Sequence, residues 1–236
     1  MRDLAVVLLA AGEGARLGQN TPKAFVPLMG KPLLEHALIN LVSTDALAHV
    51  SLVAHDDYHD VAEELADRYS TKYVNIVVVE GGEVTRQDSV RNGLAAVPDD
   101  LEVVLVHDTA RAFATAELFE RVAAAVRESG KGVVPVLPVV DTIKRAEAEL
   151  ILETVDRSEL RIAQTPQGFP IPAFKAAHAL AGAEYTDDAA LFQAAGGTRV
   201  LRAVNTKYAT DVPQSGGSQQ GIHDGVAHGV TIRVTV

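Results

Sequence analysis

The chain has 236 residues, no cysteine and a net charge of −10. Its length suits one α/β domain with a sizeable core, and the missing cysteines exclude disulfides, thiolate metal sites and cysteine nucleophiles. The acidic balance argues against a nucleic-acid binder, and 5% aromatics with no Trp offer little for single-stranded bases to stack on.

The first element is an unbroken apolar run, Leu4–Leu9, which reads as a strand buried on both faces at the centre of a parallel sheet. It follows the first residues directly, so no leader is expected. No apolar run is long enough to span a bilayer, and a cytoplasmic location with no membrane contact is the expectation. The strand empties into Ala10-Ala11-Gly12-Glu13-Gly14-Ala15-Arg16, small residues that let backbone N–H groups approach oxygens, followed by the cations Arg16 and Lys23. That is a phosphate site in outline. It is not a P-loop, because no Gly-Lys-Ser or Gly-Lys-Thr occurs. It is not the dinucleotide fingerprint either: after Gly12 and Gly14 the third glycine, Gly18, comes one residue late, and Glu35 lies in a helical stretch.

Periodicity then predicts a helix over Pro32–Ser43, a strand over Val50–Ala54, a helix over Asp60–Tyr69, a strand over Val74–Val79 and a helix over Ser89–Val97. A strand at Val103–Val106, a helix at Ala116–Glu128 and a strand at Val133–Leu137 follow. Alternation at this spacing means right-handed βαβ units: a Rossmann-like three-layer α/β sandwich with a mostly parallel sheet. Thr142–Ala146 and Leu150–Val155 break the pattern and read as a β-arm, about residues 139–160, projecting from the sheet. A helix over Ile171–Ala181, a helix over Asp187–Ala195 capped by Thr186, and a strand over Arg199–Val204 complete a domain of residues 1–213. The tail, 214–236, begins with a linker-like QSGGSQQG and ends in an alternating run, Val230–Val236.

Five places lie where strands end, which is where open α/β sheets bind ligands. They are Ala10–Lys23; the loop Gly81–Ser89, able to present backbone to a base edge; His107–Arg111, where Asp108 suits Mg²⁺ or a sugar hydroxyl; the base of the arm, with Asp141, Thr142, Asp156 and Arg157; and Asn205-Thr206-Lys207. Each also has a plain reading: glycine turn, surface loop, helix cap, solvated salt bridge or surface lysine. The cap reading of Asp108 is weakened because the next helix begins only near Ala116. His55 and His59 with Asp56 and Asp57 suit a polar helix start better than a metal site, since no third ligand is evident. No Ser-His-Asp or paired-carboxylate arrangement argues for hydrolysis.

The ordered motifs A-A-G-x-G-x-R-L-G (Ala10–Gly18), P-K-x-F-x-P-L-x-G-K-P (Pro22–Pro32), Gly81–Leu94, V-L-V-H-D-x-A-R (Val104–Arg111), P-V-x-D-T-I-K-R (Pro138–Arg145), D-R-S-x-L (Asp156–Leu160), Q-T-P-Q-x-F (Gln164–Phe169) and T-D-D-A (Thr186–Ala189) closely resemble the 2-C-methyl-D-erythritol 4-phosphate cytidylyltransferase family. The resemblance covers Leu4 to about Lys207. It implies CMP transfer from CTP to 2-C-methyl-D-erythritol 4-phosphate, with release of pyrophosphate, in the non-mevalonate route to isoprenoids, with Mg²⁺ as cofactor. It implies that Ala10, Ala11, Gly12 and Gly14 hold the nucleotide, that Gly82, Glu83 and Ser89 read cytosine, and that Arg16, Lys23, Arg157 and Lys207 are catalytic. Asp108 would serve nucleotide, substrate and metal, with Arg111, Thr142, Arg157 and Thr165 on the polyol phosphate. Thr142 and Arg157 would act from the arm of a partner subunit, which implies a homodimer. Three features depart from the family pattern: the Gly81–Ser89 loop has an extra residue and Glu83 for Asp, Thr109 stands for Ala, and the segment after Lys207 lacks a leucine-rich helix. Two alternatives stay open: a cytidylyltransferase for another polyol phosphate such as ribitol 5-phosphate, and a non-catalytic nucleotide-binding protein. A nicotinamide oxidoreductase fails on the glycine spacing.

Overall fold

In the computed structural model, which describes residues 2–12, 21–82 and 85–195 and the backbone of Arg202–Asn205, the first apolar run is strand β1 (Leu4–Ala10). Leu4, Val6 and Leu8 point to one face and Ala5 and Val7 to the other, each with 0% of its surface exposed. A strand buried on both faces needs neighbours on both edges and cover on both sides, and the rest of the chain supplies them.

A short β2–β3 pair (Pro27–Leu28, Lys31–Pro32) leads into α1 (Leu33–Leu41). Then come β4 (Leu47–Ala54), α2 (His59–Tyr69), β5 (Asn75–Glu80), α3 (Arg86–Ala95), β6 (Val103–Asp108), α4 (Ala116–Ser129) and β7 (Val133–Pro138). The chain continues through β8 (Ile143–Glu147), β9 (Leu150–Val155), β10 (Arg161–Ala163), β11 (Gln167–Pro170), α5 (Ile171–Leu180), α6 (Asp188–Ala194) and β12 (Arg202–Asn205). The main sheet has the order β7-β11-β6-β1-β4-β5, with β10 and β12 also paired to β7. Strands β1, β4, β5 and β6 are mutually parallel, whereas β11 runs antiparallel to both β6 and β7. Helices α1, α2 and α4 cover the Leu4/Val6/Leu8 face, and α3, α5 and α6 cover the other. This is the expected three-layer sandwich.

Register decides where a site can form. Ala10 lies opposite Ala54, Ala54 opposite Glu80, and Leu9 opposite Asp108. Four strands therefore end along one line, and the loops that follow them share one edge.

Four local differences from the sequence reading have physical causes. Helix α3 starts at Arg86 rather than Ser89, because Thr85 and Asp88 form a reciprocal capping box. Asp187, not Thr186, caps α6: its backbone is extended and its Oδ1 accepts from Ala190 N at 2.8 Å. Strands β10 and β11 were not anticipated, since they are only three and four residues long, RIA and QGFP, too short to carry strand periodicity. The arm is a β8–β9 hairpin, as expected, but closes through Ala148 in the left-handed region (φ 50°) without the glycine such turns favour. The expected strand residues Arg199–Leu201 and the tail 214–236 lie outside the described residues.

On the far face, His178 of α5 is buried edge-on against Phe174, with ring centroids 4.7 Å apart. Neither ring nitrogen has a hydrogen-bond partner among the described residues. Burial, aided by Arg91 and Arg86, pushes its pKa from 6.5 down to about 4. The unfolded chain thus binds a proton that the folded chain refuses, and stability present above pH 6.5 is lost as pH falls towards 4. Such a shift corresponds to on the order of 3 kcal/mol. Urea unfolding of wild type and His178→Phe between pH 7 and pH 5 should show a flatter acid decline in the variant. Equal declines would contradict the assignment.

Candidate active site

The first loop leaves the sheet at Ala10, which is buried, passes the half-buried Ala11, and reaches solvent at Gly12. Gly14 and Arg16 lie outside the described residues. The chain returns in a 3-10 turn, Lys23–Phe25, anchored by buried Ala24 and by Phe25 stacked on Tyr58 at 4.5 Å. This turn packs beside a second 3-10 turn, Thr109–Arg111, so Lys23 enters the same neighbourhood as the end of β6.

The loop after β5 is pressed against both the first loop and α3. Gly81 N donates to Ala54 O at 2.9 Å, and a Cβ on Gly81 would stand 2.6 Å from Ala11 Cβ. A Cβ on Gly82 would meet Asp88 Cβ at 2.4 Å and Ser89 N at 2.5 Å, so only glycine fits there. Gly82 N donates to Ser89 Oγ at 3.0 Å, and Asn92 Nδ2 donates to Glu80 O at 3.2 Å. Ser89 is buried in the first turns of α3 and holds this loop in shape. Glu83 lies outside the described residues.

Asp108 closes β6 with its side chain one-third exposed (33%). A 3-10 turn does follow it immediately, contrary to the spacing argument, yet its carboxylate makes no capping bond. Instead Oδ1 accepts from Arg86 Nε at 3.2 Å and Nη2 at 3.1 Å. Arg86 Nη1 donates to Asp188 Oδ2 at 2.8 Å. Asp188 is 2% exposed; burial raises its pKa, and Arg86 opposes that. Burial likewise works against the Arg86 cation, but Asp188 and Asp108 more than offset it and hold the guanidinium charged.

The backbone of Asp108 is held separately. Its N–H donates to Thr165 Oγ1 at 3.2 Å. Thr165 Oγ1 lies 3.2 Å from His107 Nδ1, and His107 Nε2 lies 3.3 Å from Arg111 O. Burial lowers the His107 pKa to about 4, so the ring is neutral. A consistent tautomer has Nε2–H donating to the Arg111 carbonyl and Nδ1 accepting the Thr165 hydroxyl. Arg111 donates to Gln164 Oε1. Gln167, 2% exposed, donates from Nε2 to Asp187 Oδ2 at 3.0 Å, and its Oε1 accepts from Ala189 N at 3.0 Å.

The arm is rooted where β7 ends. Arg157 donates to Val140 O, and Asp156 Oδ1 accepts from Ser158 N at 2.9 Å, which holds the Asp156 carboxyl below its usual range. Thr142 is exposed. Among the described residues, neither Thr142 nor Arg157 is hydrogen-bonded to the Asp108 cluster. Strand β12 is parallel to β7 and ends at Asn205 opposite Val136; Lys207 lies outside the described residues. His55 is occupied in a turn, accepting from Asp57 N at 3.2 Å, and no group of three metal-ligating side chains exists among the described residues.

Of the sequence-predicted residues, the fold thus gathers Ala10, Ala11, Gly12, Lys23, Gly82, Ser89, Asp108, Arg111 and Thr165 at one edge of the sheet. Arg86 and Asp188 were missed. Both stood inside motifs already noted, but an ion pair across 102 residues has no local signature.

The sequence profile of the IspD family, 2-C-methyl-D-erythritol 4-phosphate cytidylyltransferase, matches residues 4–208. The chain is 47% identical over 201 residues to the 2-C-methyl-D-erythritol 4-phosphate cytidylyltransferase of Saccharopolyspora erythraea, covering 82% of this chain and 88% of that one. It is 50% identical over 195 residues to the bifunctional enzyme IspD/IspF of Clavibacter michiganensis, covering 82% of this chain but only 48%, about half, of that longer relative. Among solved structures, the 2-C-methyl-D-erythritol 4-phosphate cytidylyltransferase of Thermus thermophilus is similar with TM-score 0.71 and 35% identity, covering 89% of this chain and 93% of that one.

The contacts at Gly82 generate a test. Gly82→Ala should push the loop off α3 at a cost of roughly 1–3 kcal/mol. Hydrogen exchange should show the Gly82→Ala loop amides losing protection while those of β1 keep theirs. Unchanged protection would mean that the close packing is not required.

Proposed function

This chain belongs to the 2-C-methyl-D-erythritol 4-phosphate cytidylyltransferase family and is a cytidylyltransferase, moving CMP from CTP to 2-C-methyl-D-erythritol 4-phosphate in isoprenoid biosynthesis; on that premise we propose how its residues divide the work. The observation that carries the proposal is the shared edge. The register of β1, β5 and β6 sets the small-residue loop, the Gly81–Gly82 loop and the Asp108 carboxylate side by side.

In the reaction an oxygen of the polyol phosphate attacks the α-phosphorus of CTP; the new P–O bond forms as the bond to the bridging oxygen breaks and pyrophosphate leaves. The attacking group is a phosphate monoester whose second pKa is about 6. It is anionic at neutral pH and needs no general base. The buried, neutral His107 is engaged in holding Thr165 and Arg111, in keeping with a site that has no base to supply. What remains is to bring two anions together and to offset charge as it develops.

We assign the triphosphate to the Ala10–Gly14 backbone with Arg16 and Lys23. The cytosine edge goes to the Gly81–Gly82 backbone, where Gly82 N donates to Ser89 Oγ, and to Glu83. Cytosine carries an amino donor where uracil carries a carbonyl, so a rigid backbone acceptor leaves the wrong base unpaired. Asp108 accepts from substrate hydroxyls. Arg111, Thr165 and Lys207, with Thr142 and Arg157 of a partner's arm, hold the polyol phosphate. Mg²⁺ fits this site in one way: Asp108 is a single, one-third exposed carboxylate, and Mg²⁺ is commonly held by one or two carboxylates plus substrate phosphates rather than by a protein cage. When bound, it would neutralise triphosphate charge.

The homodimer rests on the arm. Leu150, Ile151 and Leu152 are 71%, 68% and 54% exposed on the arm, and Val140 at its root is equally bare; exposed apolar residues of that kind call for cover by a second copy. A cytoplasmic location is in keeping with the absence, among the described residues, of any helix long and apolar enough to cross a membrane.

Two measurements test this reading. Pyrophosphate release, screened with four nucleotides against several polyol phosphates, should need CTP and 2-C-methyl-D-erythritol 4-phosphate together, and Lys23→Ala should lower kcat on the order of 100-fold with a smaller change in CTP binding. Release with ribitol 5-phosphate alone would move the specificity to that substrate, and an unchanged kcat would remove Lys23 from catalysis. Ile151→Lys should shift the sedimentation coefficient from dimer to monomer and abolish turnover, whereas an active monomer would contradict the role of the partner's arm.

A further inference from the structure

We propose that Arg86 is a positioning residue for the polyol-phosphate site: it holds the Asp108 carboxylate in its working orientation while itself clamped from behind by the buried Asp188. The inference rests on the reading of Asp108 as a substrate-contacting group. It concerns a different residue, which touches no substrate.

The geometry is specific. Two donors of one guanidinium, Nε and Nη2, converge on the same oxygen, Oδ1 of Asp108. Pinning one oxygen from two directions fixes the carboxylate's rotation and leaves Oδ2 to meet a ligand. The third donor, Nη1, points the other way to Asp188 Oδ2. A planar fork can serve both carboxylates at once; a lysine ammonium on its flexible stem cannot hold either with the same fixed geometry.

The clamp is firm because its far end is buried and cross-braced. Asp188 is 2% exposed and begins α6. The start of α6 is in turn held by Gln167, through Asp187 and through Ala189 N. Gln167 lies two residues after Thr165, whose hydroxyl accepts from Asp108 N. Asp108 is therefore held twice over, by its backbone from Thr165 and by its side chain from Arg86, and both holds trace back to the Thr165–Gln167 segment. Groups that orient a functional carboxylate in this way commonly change activity roughly 10–100-fold when removed, by analogy with metal sites.

Arg86 also neutralises a buried charge, so Arg86→Gln alone would confuse lost stability with lost positioning. The double variant Arg86→Gln/Asp188→Asn separates them, because it replaces the buried ion pair with a neutral, hydrogen-bonding one. Its melting temperature is expected to return close to wild type, well above that of Arg86→Gln. Its KM for 2-C-methyl-D-erythritol 4-phosphate is expected to stay raised at least tenfold, with KM for CTP within threefold. Adding Asp108→Asn to the double variant should bring little further loss beyond Asp108→Asn alone, since both act through one carboxylate. Recovery of KM together with the melting temperature, or multiplicative losses in the triple variant, would overturn the inference. If Asp108→Asn alone leaves KM unchanged while wild type turns over, the substrate reading of Asp108 fails instead.

Discussion

A carboxylate that is 2% exposed cannot stay charged without a cation beside it, and Asp188 has Arg86. Asp188 begins α6, Arg86 begins α3 and Asp108 ends β6, so one guanidinium ties three elements at a single point. The pair is partly buried and is not primarily a source of stability. A buried ion pair roughly breaks even against apolar packing, and its worth lies in the orientation it imposes. Held by Asp188, Arg86 directs two donors onto one oxygen of the Asp108 carboxylate at the end of β6.

The sheet supplies the rest. Parallel strands in register deliver their C-terminal loops to a common line, and at that line the backbone groups of Ala11, Gly12, Gly81 and Gly82 lie beyond the ladder. Glycine at 81 and 82 lets these loops touch each other and α3, with no room for a methyl group at either position. Polar side chains that would be costly in a core are paired here: Gln164 with Arg111, Thr165 with His107 and the Asp108 backbone, and Gln167 with Asp187 and Ala189. On the proposed reading, such a rigid and directional frame would let cations at this edge act on two mutually repelling reactants without reorganising.

The architecture was legible in the sequence because buried parallel strands and amphipathic helices write their periods into the chain. β1 and α4 came within a residue of their bounds for that reason. The segment Arg161–Pro170 did not, because its two strands are only three and four residues long, and their pairing with β6 and β7 depends on residues far away. The Arg86–Asp188 link escaped for the same reason. The motifs pointed to the loops at the strand ends, but only the fold shows that Ser89 braces Gly82 through its hydroxyl and that Asp187 rather than Thr186 caps α6.

In the proposed division of work, two phosphorylated molecules meet over one edge of the sheet. A crystal structure of the chain with CTP and 2-C-methyl-D-erythritol 4-phosphate tests this most directly. It should place the triphosphate along Ala10–Gly12, the cytosine edge against Gly82, and a polyol hydroxyl on the Asp108 oxygen that Arg86 leaves open. A nucleotide bound at another edge of the sheet, with Asp108 turned away from both ligands, would contradict it.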